Sequence, residues 1–179
     1  MNGPRRIVMT GFMGAGKTTI GAALARRLDC RLLDLDEYIA GREGRSIQAI
    51  IDEHGEARFR QTETQALREA LEDETAQVIA LGGGTWMSEA NRALVGEYEG
   101  FTVWLDTPFE LCWQRIIGAG DTRPLGRDLE RARRLYEERR ALYALAPLRI
   151  TLDEASDPEA IATEIVNALR QSPPEDDAV

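Results

Sequence analysis

Short apolar runs alternate with longer amphipathic stretches along the chain, the pattern of a parallel sheet whose strands are joined by crossover helices. Strands are expected at residues 6–10, 31–34, 78–81, 101–105 and 149–152. Helical periodicity covers 17–28, 59–71 after a shorter turn-rich pair, 88–95, 109–117, 129–143 and 158–169. Five parallel strands with helices between them predict an α/β protein with three layers, α/β/α. Neither a repeat nor an interdomain linker interrupts the pattern, so residues 1–170 read as a single domain and 171–179 as a disordered acidic tail.

Composition narrows this picture. The 179 residues are 43% hydrophobic, enough for a sizeable core, and no apolar run approaches the roughly 20 residues that a membrane-spanning helix needs. The start of the chain leads directly into a strand, not a signal peptide, so a soluble cytoplasmic protein is expected. A net charge of -9 disfavours nucleic acid and anionic membranes as partners, leaving small anions held by locally converging cations. Cys30 and Cys112 lack metal-ligand spacing and read as buried, reduced thiols. Of the 22 basic residues, Lys17 alone is lysine, which suggests a place where a compact ammonium fits and a planar guanidinium does not.

That lysine stands in Gly11-Phe12-Met13-Gly14-Ala15-Gly16-Lys17-Thr18, between the first strand and the first helix, which is the context of a phosphate-binding loop. The glycines let backbone N–H groups face a phosphate and the helix N-terminus adds positive potential. Lys17 would reach the β/γ oxygens and Thr18 would ligate Mg²⁺. The fold expected is therefore a P-loop NTPase fold. Asp34 and Asp36 close the second strand, where ligands gather in open parallel sheets. Asp36 reads either as the N-cap of the next helix or as one of two working carboxylates, one holding the water shell of Mg²⁺ and the other receiving an acceptor hydroxyl.

Further along, Arg60 and Glu63 share a helix face, as a solvated pair or as a guanidinium held in place for a ligand. Gly82-Gly83-Gly84 follows the third strand, as a tight turn or as bare backbone against which a ligand lies. A Walker B acid is missing there, which makes Asp34 the metal's carboxylate. Arg139 falls inside the apolar stripe of its helix, so it requires an anionic partner, internal or bound. Residues 118–127, bounded by glycine and carrying Arg123, read as a surface connection or as a mobile lid closing over a transferring phosphoryl group. His54, in a turn, reads as structural, and Trp86, Trp104 and Trp113 as core or pocket wall.

In this order the motifs resemble the shikimate kinase family over nearly the whole chain: 11–18, Asp-Leu-Asp at 34–36, Gly55-Glu56 with Phe59-Arg60 and Glu63, 82–84, Arg123-Pro124-Leu125, and Arg139 before Leu142-Tyr143. The resemblance implies transfer of a phosphoryl group from MgATP to the 3-hydroxyl of shikimate, in aromatic amino-acid biosynthesis. It implies Lys17, Asp36 and Arg123 as catalytic residues, and Asp36, Arg60, Gly82, Gly83, Gly84 and Arg139 around the acceptor. ATP would be held by Gly14, Ala15, Gly16, Lys17, Thr18, Thr19, Arg115, Arg123 and Pro158, with Arg115 and Pro158 about the adenine, and Mg²⁺ by Thr18 and Asp34. It further implies a protein acting as a monomer. Three positions depart from the family pattern: Gly126 replaces a second leucine, Arg140 adds a charge beside Arg139, and Trp86 is bulky just beyond the glycines. Rival readings are another small-molecule kinase, for gluconate or a nucleoside monophosphate, and a non-catalytic nucleotide sensor or switch.

Overall fold

A computed structural model describes residues 5–119 and 128–171. The elements run β1 (Ile7–Thr10), α1 (Lys17–Leu28), β2 (Arg31–Asp34), α2 (Leu35–Glu43), α3 (Ile47–His54), α4 (Glu56–Glu72), β3 (Ala76–Ala80), α5 (Glu89–Glu97), β4 (Phe101–Asp106), α6 (Phe109–Gly118), α7 (Leu129–Tyr143), β5 (Leu148–Thr151) and α8 (Pro158–Gln171), with a 3-10 turn at Thr85–Met87 before α5. The strands form one parallel sheet in the order β2-β3-β1-β4-β5, and helices cover both of its faces. The expected three-layer architecture with five parallel strands is the one observed.

Burial follows sheet position. Every residue of β1 and β4 is buried, because both faces of these inner strands are covered, whereas β2 and β5 at the edges keep partly exposed positions. Ile7, Val8 and Met9 are wholly inaccessible and pair in register with Val78, Ile79 and Ala80 on one side and with Phe101, Thr102 and Val103 on the other. The loop leaving β1 therefore starts from a wholly buried strand at the centre of the sheet.

Several boundaries differ from the sequence reading. The turn-rich pair forms two helices, α2 and α3, each begun by a side-chain cap: the Asp34 carboxylate accepts from the amides of Asp36 and Glu37, and the Ser46 hydroxyl accepts from that of Ala49. Only Leu35 and Ile39 of α2 are buried, too few to leave an apolar stripe legible in the sequence. α4 begins at Glu56, a turn earlier than expected, because Gly55 at φ +82° ends α3 and starts α4 in a single residue. Gln171, assigned from sequence to the tail, is the last residue of α8. Residues 172–179, with the disorder expected of them, lie outside the described residues. Cys112 is buried and Cys30 only half-buried, both as free thiols. Burial pushes the Cys112 thiol up to about 11, so it stays protonated near neutral pH. Among the described residues no helix is long and apolar enough to cross a membrane.

Candidate active site

The loop between β1 and α1 is held from below. A side chain could not replace hydrogen at Gly14, where φ is +78° and a Cβ would stand 2.7 Å from the Cys112 carbonyl oxygen. The Thr107 hydroxyl donates to Ala15 O at 2.9 Å, tying the loop to the residue just after β4. Lys17 Nζ donates to Gly11 O and Phe12 O, each at 2.9 Å, so the ammonium lies over the loop that precedes it. α1 starts at Lys17 with no side-chain cap and no acidic residue in its first turn, which leaves its amide donors and positive end for an anion. Thr19 is exposed in that turn. The Arg115 guanidinium donates to Gly14 O at 3.0 Å, alongside the loop, and Pro158 opens α8, which packs on α1.

At the end of β2 the reading of Asp36 as the helix cap is corrected. Asp34, not Asp36, is the N-cap of α2, accepting through Oδ1, while its Oδ2 accepts the Thr18 hydroxyl at 2.7 Å. Asp36 lies within the first turn of α2, open to water at the crevice mouth but walled by protein on its other sides. Burial, and then the neighbouring Asp34 charge, raise its carboxyl to about 6; Glu63 pushes the same way, against Lys17 and Arg60. The carboxyl is thus poised to exchange a proton near neutral pH.

None of the three glycines has a left-handed backbone; what they provide is room for the side chains that face them. A Cβ on Gly82 would stand 2.6 Å from Asp36 Oδ1, and one on Gly84 would stand 2.8 Å from both terminal nitrogens of Arg60. One on Gly83 would meet the Arg139 guanidinium at 3.5 Å. The segment is also a turn, closed by Thr85 N–H to Gly82 O at 3.1 Å. Asp36, Arg60 and Arg139 therefore converge on bare backbone at the carboxyl end of β3.

Arg60 donates to Glu63 Oε2 at 2.9 Å and to Glu56 Oε1 at 3.1 Å. The solvated-pair reading is corrected here: Glu63 is only 1% exposed and also accepts from the Thr85 hydroxyl at 2.7 Å. Arg139 donates to Gly83 O at 3.1 Å, and among the described residues no carboxylate lies within ion-pair distance of it. Tyr143, one turn further along α7, donates to the same carbonyl at 2.5 Å and fixes the helix against the glycines. A cavity of about 400 Å³ opens between Arg60, Gly84, Asn91 and Arg139. This is a place for an anion that two guanidinium groups can grip.

Arg140 and Trp86 leave this cavity clear. The Arg140 guanidinium turns away to the buried Asp106 at 2.9 Å, where Arg149 also donates at 2.5 Å. Trp86 is buried with its indole N–H on Leu142 O at 2.9 Å, away from the ligand face. Trp104 stacks on Tyr143 and Trp113 on Phe109, while His54 ends α3 at the surface. Arg123 and nearly all of the expected lid lie outside the described residues. Thr85 and Asp106 went unnoticed in the sequence, and Glu56 and Tyr143 were noted only as parts of motifs, because a lone hydroxyl or acid carries no spacing signal until the fold gives it a partner.

Among the described residues no group of three metal-binding side chains is present, but Thr18 and Asp34 form an oxygen pair beside the loop, suited to a hard cation that keeps several waters. The family model described as "Shikimate kinase" matches residues 13–170. A shikimate kinase from Nostoc punctiforme is 39% identical over 166 residues, covering 91% of this chain and 90% of that protein. Among solved structures, shikimate kinase from Bacteroides thetaiotaomicron superposes with a TM-score of 0.85 at 32% identity, covering 93% of this chain and 98% of the other. Shikimate kinase from Acinetobacter baumannii in complex with shikimate gives a TM-score of 0.85 at 31% identity over 95% of each chain.

Proposed function

The chain belongs to the shikimate kinase family and is an ATP-dependent kinase acting on shikimate, and from that premise we propose how its own residues carry the reaction. The observation that carries the reading is the convergence of Arg60, Arg139 and Asp36 on Gly82 to Gly84. Two guanidinium groups suit the acceptor's carboxylate, and bare backbone beside Asp36 suits its ring hydroxyls.

With the carboxylate gripped by Arg60 and Arg139, the 3-hydroxyl is presented to Asp36. The ionised carboxyl takes the hydroxyl proton as the oxygen attacks the γ-phosphorus in line. The bond from that phosphorus to the β–γ bridging oxygen breaks, and ADP leaves. Backbone amides of Gly14 to Thr19 and the Lys17 ammonium hold the phosphates and offset the charge spread over the transferring group. Arg115 and Pro158 flank the nucleotide base, and Arg123 approaches from the lid. Thr18 and Asp34 would hold Mg²⁺, which neutralises phosphate charge when bound. Positioning and charge neutralisation supply the catalysis, with no covalent intermediate on the protein. We take the chain to act as a cytoplasmic monomer, which sedimentation of the purified protein would check.

ADP release with MgATP should depend on shikimate and stay at background with gluconate, AMP or no acceptor. Release driven equally by gluconate or AMP would overturn the acceptor assignment.

A further inference from the structure

Beneath the acceptor cleft, four polar side chains close a ring that begins and ends at Arg60. Arg60 Nη1 donates to Glu63 Oε2 at 2.9 Å, and Glu63 Oε1 accepts from the Thr85 hydroxyl at 2.7 Å. The Thr85 carbonyl accepts from Asn91 Nδ2 at 2.9 Å. Asn91 Oδ1 lies 2.8 Å from the Thr64 hydroxyl, which is also 3.0 Å from the Arg60 carbonyl oxygen and shares its one proton between the two. The ring joins three elements, α4, the 3-10 turn and α5, the last two of which are also tied by the Arg92 guanidinium donating to Trp86 O and Met87 O.

Burial makes this arrangement unusual for its composition. Glu63, Thr85 and Asn91 are each at most 1% exposed, so an acid, a hydroxyl and an amide have been taken out of water side by side. Groups buried in this way persist only when partnered, and breaking one link leaves the next group unsatisfied. The carbonyl of Thr85 fixes which way the Asn91 amide points, since a flipped amide would set two oxygens against each other. Asn91 is thereby engaged through both its oxygen and its nitrogen, and forms the cavity wall without reaching into the cavity.

We propose that Thr85 and Asn91 are positioning residues for acceptor binding, holding the Glu63 carboxylate so that Arg60 stays aimed across Gly84. The inference rests on the shikimate kinase reading of the same site. Gly84 leaves the guanidinium its place: a Cβ there would stand 2.8 Å from both terminal nitrogens of Arg60, in the space that the aimed side chain occupies. Glu56, the other carboxylate on Arg60, is exposed and cannot set the aim alone. ATP contacts lie on the far side, at the loop after β1, and should be indifferent to the ring.

The test is steady-state kinetics on the full chain with Thr85→Val, which keeps the shape and removes the hydroxyl, and Thr85→Ser, which keeps the hydroxyl. Thr85→Val should raise the KM for shikimate about tenfold and leave that for ATP within twofold, with Thr85→Ser restoring both. Thr64→Val, at a half-buried position, opens the ring without emptying the core and should give a smaller shift of the same kind. In an Arg60→Ala background, Thr85→Val should add nothing further to the shikimate KM if Thr85 acts through Arg60. Equal changes in both KM values, or an undiminished effect in the Arg60→Ala background, would overturn the proposal. Absence of shikimate-dependent ADP release from the unsubstituted chain would overturn the underlying function as well.

Discussion

The two halves of the crevice are built on opposite plans. The half proposed for the donor is eight consecutive residues, Gly11 to Thr18, running from the end of β1 into the first turn of α1, and it offers backbone amides, one ammonium and one hydroxyl. The half proposed for the acceptor draws Asp36 from α2, Arg60 from α4, the glycines from the end of β3 and Arg139 from α7, and it offers charged side chains on bare backbone. Phosphate presents the same oxygens whatever nucleotide carries it, so a local loop suffices for recognition. A ring that is both acid and alcohol has groups several ångströms apart, which only separate elements can reach together. The difference predicts that damage to each half should be selective.

Lys17→Met should have the largest effect, a loss of about a thousandfold or more in kcat, because the charge offset at the transferring group goes with it. Far-UV circular dichroism should be unchanged, and substantial turnover in this variant would remove the donor role. Asp36→Asn should lower kcat by about 100-fold or more by removing the proton acceptor. In the unsubstituted protein kcat/KM should fall as pH drops below about 6, where Asp36 becomes protonated. Asp36→Asn should flatten that limb. The folded protein binds the Asp36 proton more tightly than the unfolded chain does. Stability therefore declines as pH rises from the ordinary carboxyl range through about 6. Asp36→Asn should remove that decline, a gain above pH 6 of less than about 1 kcal/mol because water at the crevice mouth screens the charge. Chemical denaturation at two pH values would measure it.

Arg139→Ala should raise the KM for shikimate by about 30- to 100-fold, the loss expected for a charge-assisted pair, with the KM for ATP within twofold. Equal losses for both ligands would contradict the separation of the halves. Arg140→Ala should matter least. Its partner Asp106 keeps Arg149, so thermal unfolding should shift by no more than about 4 °C and the KM for shikimate by less than threefold. A shift comparable with that of Arg139→Ala would mean that the Asp106 pairing, and not Arg139 itself, sets the grip on the acceptor.

The same contrast explains what could be read from sequence. Strand order aside, the strands were legible because β1 and β4 are largely apolar, and the loop was legible because its glycines, lysine and threonine fall within eight residues. Both aspartates were found, but the helix cap was placed on Asp36 as one of its two readings when it is Asp34, since an N-cap a residue or two earlier or later has the same sequence signature until φ and ψ are known. Arg140 and Trp86 looked like intrusions into the cleft because one helical position or one turn of chain decides which way a side chain faces.

By itself, the sequence determined the strand and helix pattern, the phosphate loop and the set of charged residues from which an acceptor site could be assembled, because each of these is encoded by residues adjacent or one helical turn apart. Only the tertiary structure decided that Arg60 and Arg139 share one cleft, that Asp34 caps α2 while Asp36 faces the glycines, and that Glu63, Thr85 and Asn91 are buried together. Those facts depend on β3 lying between β1 and β2, which brings α2, α4 and α7 to the same end of the sheet. Chain-distant charges acquire their roles only when water is excluded between them, and that exclusion belongs to the packed fold.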